Sequence, residues 1–338
     1  MTVITGRPFH VVGAGCSVGK RGGRLVAFKE GLPRTSAPLT MISEVLVSGR
    51  VQVSTAAMHA LLAHDIPLVL LTENGRPLGR LEPPSGAHVD ARRAQLALHT
   101  DPAARLAMAR AAIVGKIRNQ HVLLRRRARR APDPDAVWEA ARRLSILESR
   151  ATTCESIPAV MGMEGGAAGI YYRAIRTFVD PTLGCTRRDR QGRDVVNALT
   201  NYCSALLRET VVSGILAAGL DPFVSFLHEP ARGRPTLAFD LMEEWRPVLL
   251  DATVLALIGL KSVTTSDLED GGAGRPLLSP DARARIVERF HARLAAPARG
   301  WPEPPSRRTY RDQVRAQCTA LRTWILSRSD EYEPFVWR

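Results

Sequence analysis

Apolar positions change their period once along this chain. They alternate through much of the first eighty residues and recur every three or four beyond residue 90. Val45, Val47, Val51 and Val53 keep a two-residue spacing, which predicts one face of a strand, or of two strands broken near Gly49. In IPLVLLTENGRPLGRL, Asn74-Gly75 separates two apolar runs, a hairpin signal because both turn residues tolerate positive φ. Glu82-Pro83-Pro84-Ser85-Gly86 then reads as a domain boundary. Past it, Ile113, Ile117, His121 and Leu124 form one mostly apolar helical stripe. Ile157, Met161, Ala168, Tyr172 and Ile175 predict a second stripe, with Glu164 in phase with it. Ser279-Pro280-Asp281 opens a helix with a capping hydroxyl, a proline at the first position and an acid in the first turn. Ile286, Phe290 and Leu294 are its expected buried face; Tyr310, Val314, Cys318, Leu321 and Ile325 are that of another helix. The glycine cluster between Asp267 and Pro276 reads as a flexible loop. The expected class is α+β: a small, hairpin-rich, sandwich-like β domain over 1–81, a linker over 82–90, and a large all-helical catalytic domain over 91–338. No internal repeat is visible.

With 45% hydrophobic residues in 338, the chain has ample material for a core. Lys+Arg 47 against Asp+Glu 33 leaves a net +14, which points to a polyanionic partner. Nucleic acid and an acidic membrane surface are the two usual candidates, and no basic amphipathic helix with a Trp-rich face supports the membrane. The opening MTVITGRPFHVVGAG lacks the layout of a signal peptide, and Val248 to Leu260 is too short for a bilayer, so the expectation is a cytoplasmic protein. The five cysteines (Cys16, Cys154, Cys185, Cys203, Cys318) include no C-x-x-C pair, which argues against a zinc ribbon or iron–sulfur cluster and for free thiols.

Candidate chemistry narrows to two segments. The stretch Gly13 to Lys20 imitates a phosphate loop but fails it: Ala14 takes the place of the first glycine, and Arg21 that of the Ser or Thr. Glu164 is different. A carboxylate on a core-facing stripe must be compensated, by Arg173 or Arg176 or by a metal. In FLHEPARGRPTLAFDLMEEWRP, His228 lies near Asp240, Glu243 and Glu244, and Asp240 shares a helical face with either glutamate. Pro247 cannot donate to the Glu243 carbonyl, so an irregular helix is expected there. Three acids and an imidazole suit Mg2+ or Mn2+, the imidazole favouring manganese. Arg125, Arg126, Arg127, Arg129 and Arg130, on a helix with Lys116 and Arg118, and a second group of Arg187, Arg188, Arg190 and Arg193, are the candidate phosphate contacts.

These stretches resemble one family, the CRISPR-associated adaptation integrases (the Cas-one family). The matching segments are EVLVSGRVQVSTAAMHALLAHDIPLVLLTENGRPLGRL, ARAAIVGKIRNQHVLLRR, MEGGAAGIYYRAI, NALTNYCSALL, AAGLDPFVSFLHEPARGRPTLAFDLMEEWRP, YRDQVRAQCTALRTWI and YEPFVWR. They run in the family's order over nearly the whole chain. The resemblance implies a dimerising N-terminal domain, a helical catalytic domain, and a homodimer that assembles with a Cas-two-family protein; whether a separate Cas-four-like nuclease joins as a partner is left open by the sequence. It assigns Glu164, His228 and Glu243 as metal ligands and Asp240 as a further acidic position needed for activity, with Glu244 the alternative to Glu243. Arg125, Arg126, Arg129, Arg173, Arg176, Arg187 and Arg188 are the expected contacts to double-stranded DNA, the captured fragment and the CRISPR repeat. The implied reaction joins a 3′-hydroxyl end to a phosphodiester at a repeat edge, or hydrolyses DNA when water attacks. Two departures stand out: Cys203-Ser204 replaces a Gly-aromatic pair, and no proline precedes Asn197. A stand-alone structure-selective repair nuclease and a non-catalytic DNA scaffold are the alternatives.

Overall fold

The structure is a computed structural model that describes residues 7–83, 88–189, 191–271, 276–301, 308–327 and 331–338. Eight strands are described before residue 82: β1 (Arg7–Val12), β2 (Cys16–Arg21), β3 (Arg24–Lys29), β4 (Leu32–Pro38), β5 (Ile42–Ser48), β6 (Gln52–Val53), β7 (Leu68–Leu71) and β8 (Pro77–Leu81). They form two four-stranded sheets, ordered β1-β5-β7-β8 and β4-β3-β2-β6. β5 is buried along its whole length between parallel neighbours β1 and β7, as expected of a strand covered on both faces. Gly49, at φ +84°, breaks the chain after it. Gly13 and Gly15 make the turn from β1 to β2, and no helix follows, so this glycine-rich segment is a β turn.

The Asn74-Gly75 hairpin forms between β7 and β8, closed by Thr72 N–H to the Arg76 carbonyl at 2.8 Å. Only Gly75 takes positive φ (+74°); Asn74 does not. One helix lies where only strand was expected. α1 (Thr55–Ala63) is capped by Ser54, whose Oγ accepts from Ala57 N–H at 3.2 Å, and it buries Ala57, Ala60 and Leu61 against the strands. A two-residue period read across the whole region misses it, because its apolar positions are mostly alanine.

β8 ends at Leu81 and α2 (Val89–His99) begins inside the expected linker, of which Pro84–Ala87 lie outside the described residues. Then follow α3 (Pro102–Ala128), α4 (Pro134–Ala151), α5 (Ile157–Arg176), α6 (Val195–Ala217), α7 (Thr236–Trp245), α8 (Ala252–Gly259), α9 (Pro280–Ala295) and α10 (Tyr310–Ser327). Asp101-Pro102, Asp133-Pro134 and Ser279-Pro280 each place a side-chain cap ahead of a helix-opening proline. The expected faces of α9 and α10 are buried as read.

Three expectations are corrected. The C-terminal part is not all helical: β9 (Leu268–Asp270) pairs with β10 (Pro276–Leu278), and β11 (Gly300–Trp301) with β12 (Val336–Trp337). The glycine cluster is therefore flanked by a strand pair, and its tip, 272–275, lies outside the described residues. On α5 the inward face is Val160, Ala167, Tyr171 and Ala174, one position earlier than the expected stripe, and Met161 is 39% exposed. Tyr171 accounts for this rotation, since its hydroxyl donates to buried Asp251 at 2.7 Å. Among the described residues, no helix is long and apolar enough to cross a membrane.

The strand-rich and helical parts meet on a polar seam. Arg311 pairs with Glu44 at 2.8 Å, Ser213 donates to Glu44, and Arg80 reaches Glu209 at 3.4 Å. His10 packs edge-on to His291, whose Nδ1 lies 3.1 Å from Arg311. The Gly75 carbonyl accepts from Arg208 at 3.2 Å, so the hairpin tip helps hold an arginine of α6.

Candidate active site

Three of the four residues singled out from sequence line one cavity of about 600 Å³. They are Glu164 on α5, His228 in the loop before α7, and Glu243 on α7. Asp240, one turn before Glu243, sits directly behind His228. It is fully buried, and its carboxylate accepts from the backbone N–H groups of Phe226 (2.7 Å), Leu227 (3.0 Å) and His228 (3.0 Å). Its Oδ1 also lies 2.7 Å from His228 Nδ1. With the proton on Nδ1, the imidazole presents Nε2 as its lone-pair nitrogen. The hydrogen bond to Asp240 raises the His228 pKa above its ordinary value. Both carboxylate oxygens of Asp240 are thus already engaged, by backbone N–H groups and by His228.

Glu243 and Glu244 part company on α7. Glu244 turns away from the cavity, accepting from Tyr332 Oη at 3.0 Å and from Phe335 N–H at 2.5 Å, and burial pushes its pKa up to about 7. Asn119 on α3 binds the same tail: it donates to the carbonyls of Glu244 and Phe335 and accepts from Trp337 N–H. Glu243 is left facing the cavity. After Trp245 the helix opens into a π turn over Arg246–Asp251, where Pro247 removes the N–H that an α-helix requires. This is the irregularity the sequence foreshadowed.

Between Glu164 and Glu243 lies a residue that the sequence offered only as a phosphate contact. Lys116 Nζ is ion-paired to Glu164 Oε1 and, at 2.5 Å, to Glu243 Oε2. Burial works against the ammonium, but Glu243 and Glu164 outweigh it and hold the Lys116 pKa above normal. Burial likewise opposes the Glu243 carboxylate, and Lys116 and Arg246 overcome it, so its pKa falls. Arg246 follows the same balance: desolvation is outweighed by Glu243, Tyr172 and Asp251. Among the described residues no three His, Cys, Asp or Glu side chains converge closely enough, as they stand, to hold a metal. The donor set nevertheless fits a hard divalent ion: two carboxylates from separate helices, an oriented imidazole, and Glu243 Oε2, which is buried without a well-directed hydrogen bond.

Four arginines line the same cavity: Arg188, Arg208, Arg234 and Arg246. Of these the sequence singled out Arg188 alone. Arg246 carried a signal in its three-residue offset from Glu243, whereas Arg208 and Arg234 carried none. Arg188 bonds to Asn197 and Asn201 on α6. Arg176 and Arg187 line a smaller adjoining pocket with Cys185, and Arg173 is exposed on α5. Arg125, Arg126 and Arg129 lie at the far end of α3, outside this cavity, with Arg125 over the Trp138 ring and Arg126 4.0 Å from the Trp337 ring centre.

The fold and this cluster define a two-part protein whose helical part holds a carboxylate–imidazole site in an arginine-lined cavity. The chain belongs to the CRISPR associated protein Cas1 family, whose profile matches residues 9–292. It is 37% identical to a Cas4 exonuclease/Cas1 endonuclease fusion from Rhodospirillum rubrum over 85% of this chain, and spans about half (50%) of that longer protein. It is 32% identical to a CRISPR-associated endonuclease Cas1 from Thermus thermophilus, covering 96% of this chain and 93% of that one. The fold is shared with a casposase bound to integration product (TM-score 0.80, 22% identity, 97% of this chain and 92% of that one). It is shared also with a CAS1 protein from Thermotoga maritima (TM-score 0.79, 19% identity, 95% and 97% covered).

Proposed function

We propose that this chain is the integrase of a CRISPR adaptation system, a metal-dependent endonuclease and strand transferase. It would join the 3′-hydroxyl ends of captured DNA to the edge of a CRISPR repeat. The observation that carries this reading is the convergence of Glu164, His228 and Glu243, from three separate segments, on one arginine-lined cavity in a member of the Cas1 family. Glu164, Glu243 and His228 Nε2 are the proposed ligands of one Mg2+ or Mn2+. When bound, such an ion acidifies an attacking hydroxyl or water and draws charge from the phosphoryl oxygens. Asp240 keeps His228 in the ligating tautomer and pins residues 226–228 to α7. Arg188, Arg208 and Arg246 face the cavity where a phosphodiester would sit, and their fixed charge would offset the charge that builds on it. The exposed arginines Arg125, Arg129, Arg173 and Arg187 are the proposed contacts to the flanking duplex. A second copy of the chain and a Cas2-family protein are the proposed assembly. A Cas4-like nuclease, fused to the Cas1 part in the Rhodospirillum relative, is proposed as a separate supplier of trimmed ends.

The test is integration of a 3′-hydroxyl duplex into a supercoiled repeat plasmid, with Mn2+ and the Cas2-family partner. Losing the ion's contribution of several kcal/mol should slow joining at least about a thousandfold in Glu164→Ala, His228→Ala and Glu243→Ala, while salt-dependent DNA binding survives. Joining at the wild-type rate by Glu164→Ala would overturn the site. Cutting without joining by the wild type would favour a repair nuclease.

A further inference from the structure

We propose that Lys116 is a resident counter-cation that makes metal loading depend on DNA. Its ammonium holds Glu164 and Glu243 together without an ion, and turns to a DNA phosphate when the two carboxylates take one up. This deepens the reading above and rests on Glu164 and Glu243 being metal ligands.

The case begins with what the two carboxylates require. Drawn from different helices into one largely enclosed space, they repel unless a cation lies between them. Lys116 supplies that cation. It reaches both glutamates with a single ammonium while its side chain is only 7% exposed. Glu243 Oε2 is buried and has no well-directed hydrogen bond, so the ion pair is what compensates it. A divalent ion ligated by these glutamates would come within a few ångströms of that ammonium, and the two would repel because Lys116 is itself largely buried. Arg246 sharpens the conflict, since Glu243 is the leading favourable influence on its charge too. Arg246 also answers to buried Asp251, so Lys116 is the cation that Glu164 and Glu243 share between them. A divalent ion arriving alone would set its charge beside an ammonium that already occupies both carboxylates. A phosphodiester arriving with it would give Lys116 an anion to move to.

The fold leaves room for that movement. Lys116 lines the same cavity as Arg188, Arg208 and Arg234, and its four-carbon stem is flexible where a guanidinium fork is not. A lysine also fits the task because a compact point charge can sit between two carboxylates and serve a phosphate equally well. Position 116 is otherwise a costly place for a charge: Ile113, Ile117 and Asn119 around it on α3 are all buried.

The experiment is Mn2+ binding to the intact protein, followed by the electron paramagnetic resonance of the free ion, with and without a short DNA duplex. Wild type should bind Mn2+ weakly alone and roughly tenfold more tightly with DNA, within the usual range of coupling between sites. Lys116→Met should bind Mn2+ roughly tenfold more tightly than wild type without DNA, and gain little when DNA is added. Lys116→Gln, which keeps a hydrogen-bonding group and guards against a folding defect in the methionine variant, should behave in the same way. Lys116→Arg, which keeps the charge, should bind Mn2+ as weakly as wild type. A melt of the ion-free proteins gives an independent readout: Lys116→Gln should unfold at a lower temperature than wild type and recover more on adding Mn2+. The proposal is overturned if both neutral variants bind Mn2+ no more tightly than wild type, or if DNA still tightens their binding as much. In that case, Mn2+ binding that disappears in Glu243→Ala leaves the metal site standing. If no protein binds Mn2+, with or without DNA, the metal reading itself has failed.

Discussion

Asp240 and Glu243 lie one turn apart on α7, yet they face opposite physical demands. Asp240 receives three backbone N–H groups and an imidazole, whereas Glu243 is compensated by charge alone. Asp240→Asn turns one acceptor into a donor aimed at donors and leaves buried N–H groups without a partner. It should therefore cost about 2–4 kcal/mol of stability, by urea unfolding, along with activity. Glu243→Gln should cost clearly less stability while abolishing strand transfer. Equal losses of stability would mean that the two acids share one role. Sequence spacing brought His228, Asp240 and an adjacent glutamate together, but it left Glu243 and Glu244 equivalent. What separates them is the C-terminal tail at Tyr332 and Phe335, a contact far along the chain that no local pattern encodes. Lys116 was visible only as one more basic residue, because its distinguishing feature is burial between two acids from other helices.

At the scale of elements, the site depends on how closely α3, α7 and the tail approach one another. Gly115 marks the tightest point: a Cβ there would meet Pro334 Cβ at 2.6 Å and Glu244 Cβ at 3.5 Å. Gly115→Ala gains helix propensity in the middle of α3, about 1 kcal/mol, but must push the tail aside, an overpacking cost of about 1–3 kcal/mol. The expected result is a lower melting temperature with strand transfer reduced, since the tail that turns Glu244 away is displaced. A melting temperature above wild type would show that the approach is slack. Helix starts were legible because their caps are local chemistry, as at Ser279-Pro280, and so was the irregularity at Pro247. α1 was not, because alanine carries little periodicity, and neither was the β9–β10 pair, whose strands are only three residues each. The one-position error on α5 came from weighting Ile157 and Met161 as core, when Tyr171 and its bond to Asp251 set the rotation.

Across the whole molecule, strand-rich and helical parts are tied by a seam that half-buries two histidines, with one ring nitrogen of each fully covered. Burial lowers the His10 pKa to about 3, and burial, then Arg311, lowers that of His291 well below its ordinary value. Each is neutral when folded but takes a proton when unfolded near its ordinary value of 6.5. Their contribution is therefore fully present above pH 6.5 and is lost as pH falls toward the folded values, at about 1.4 kcal/mol per unit for each. Between pH 7.5 and pH 5.5, His10→Asn should lose less stability than wild type by roughly 1 kcal/mol in urea unfolding. Identical losses would place the acid sensitivity elsewhere. The same long-range packing gathers Glu164, the 226–228 loop and Glu243 into one cavity, and on that gathering the functional account stands. Crystals of the protein with Mn2+ and a DNA duplex, measured at the manganese absorption edge, test it most directly. The account predicts one anomalous peak about 2.1 Å from a Glu164 oxygen, a Glu243 oxygen and His228 Nε2. A manganese peak elsewhere, with Lys116 still clasping both glutamates against bound DNA, would contradict it.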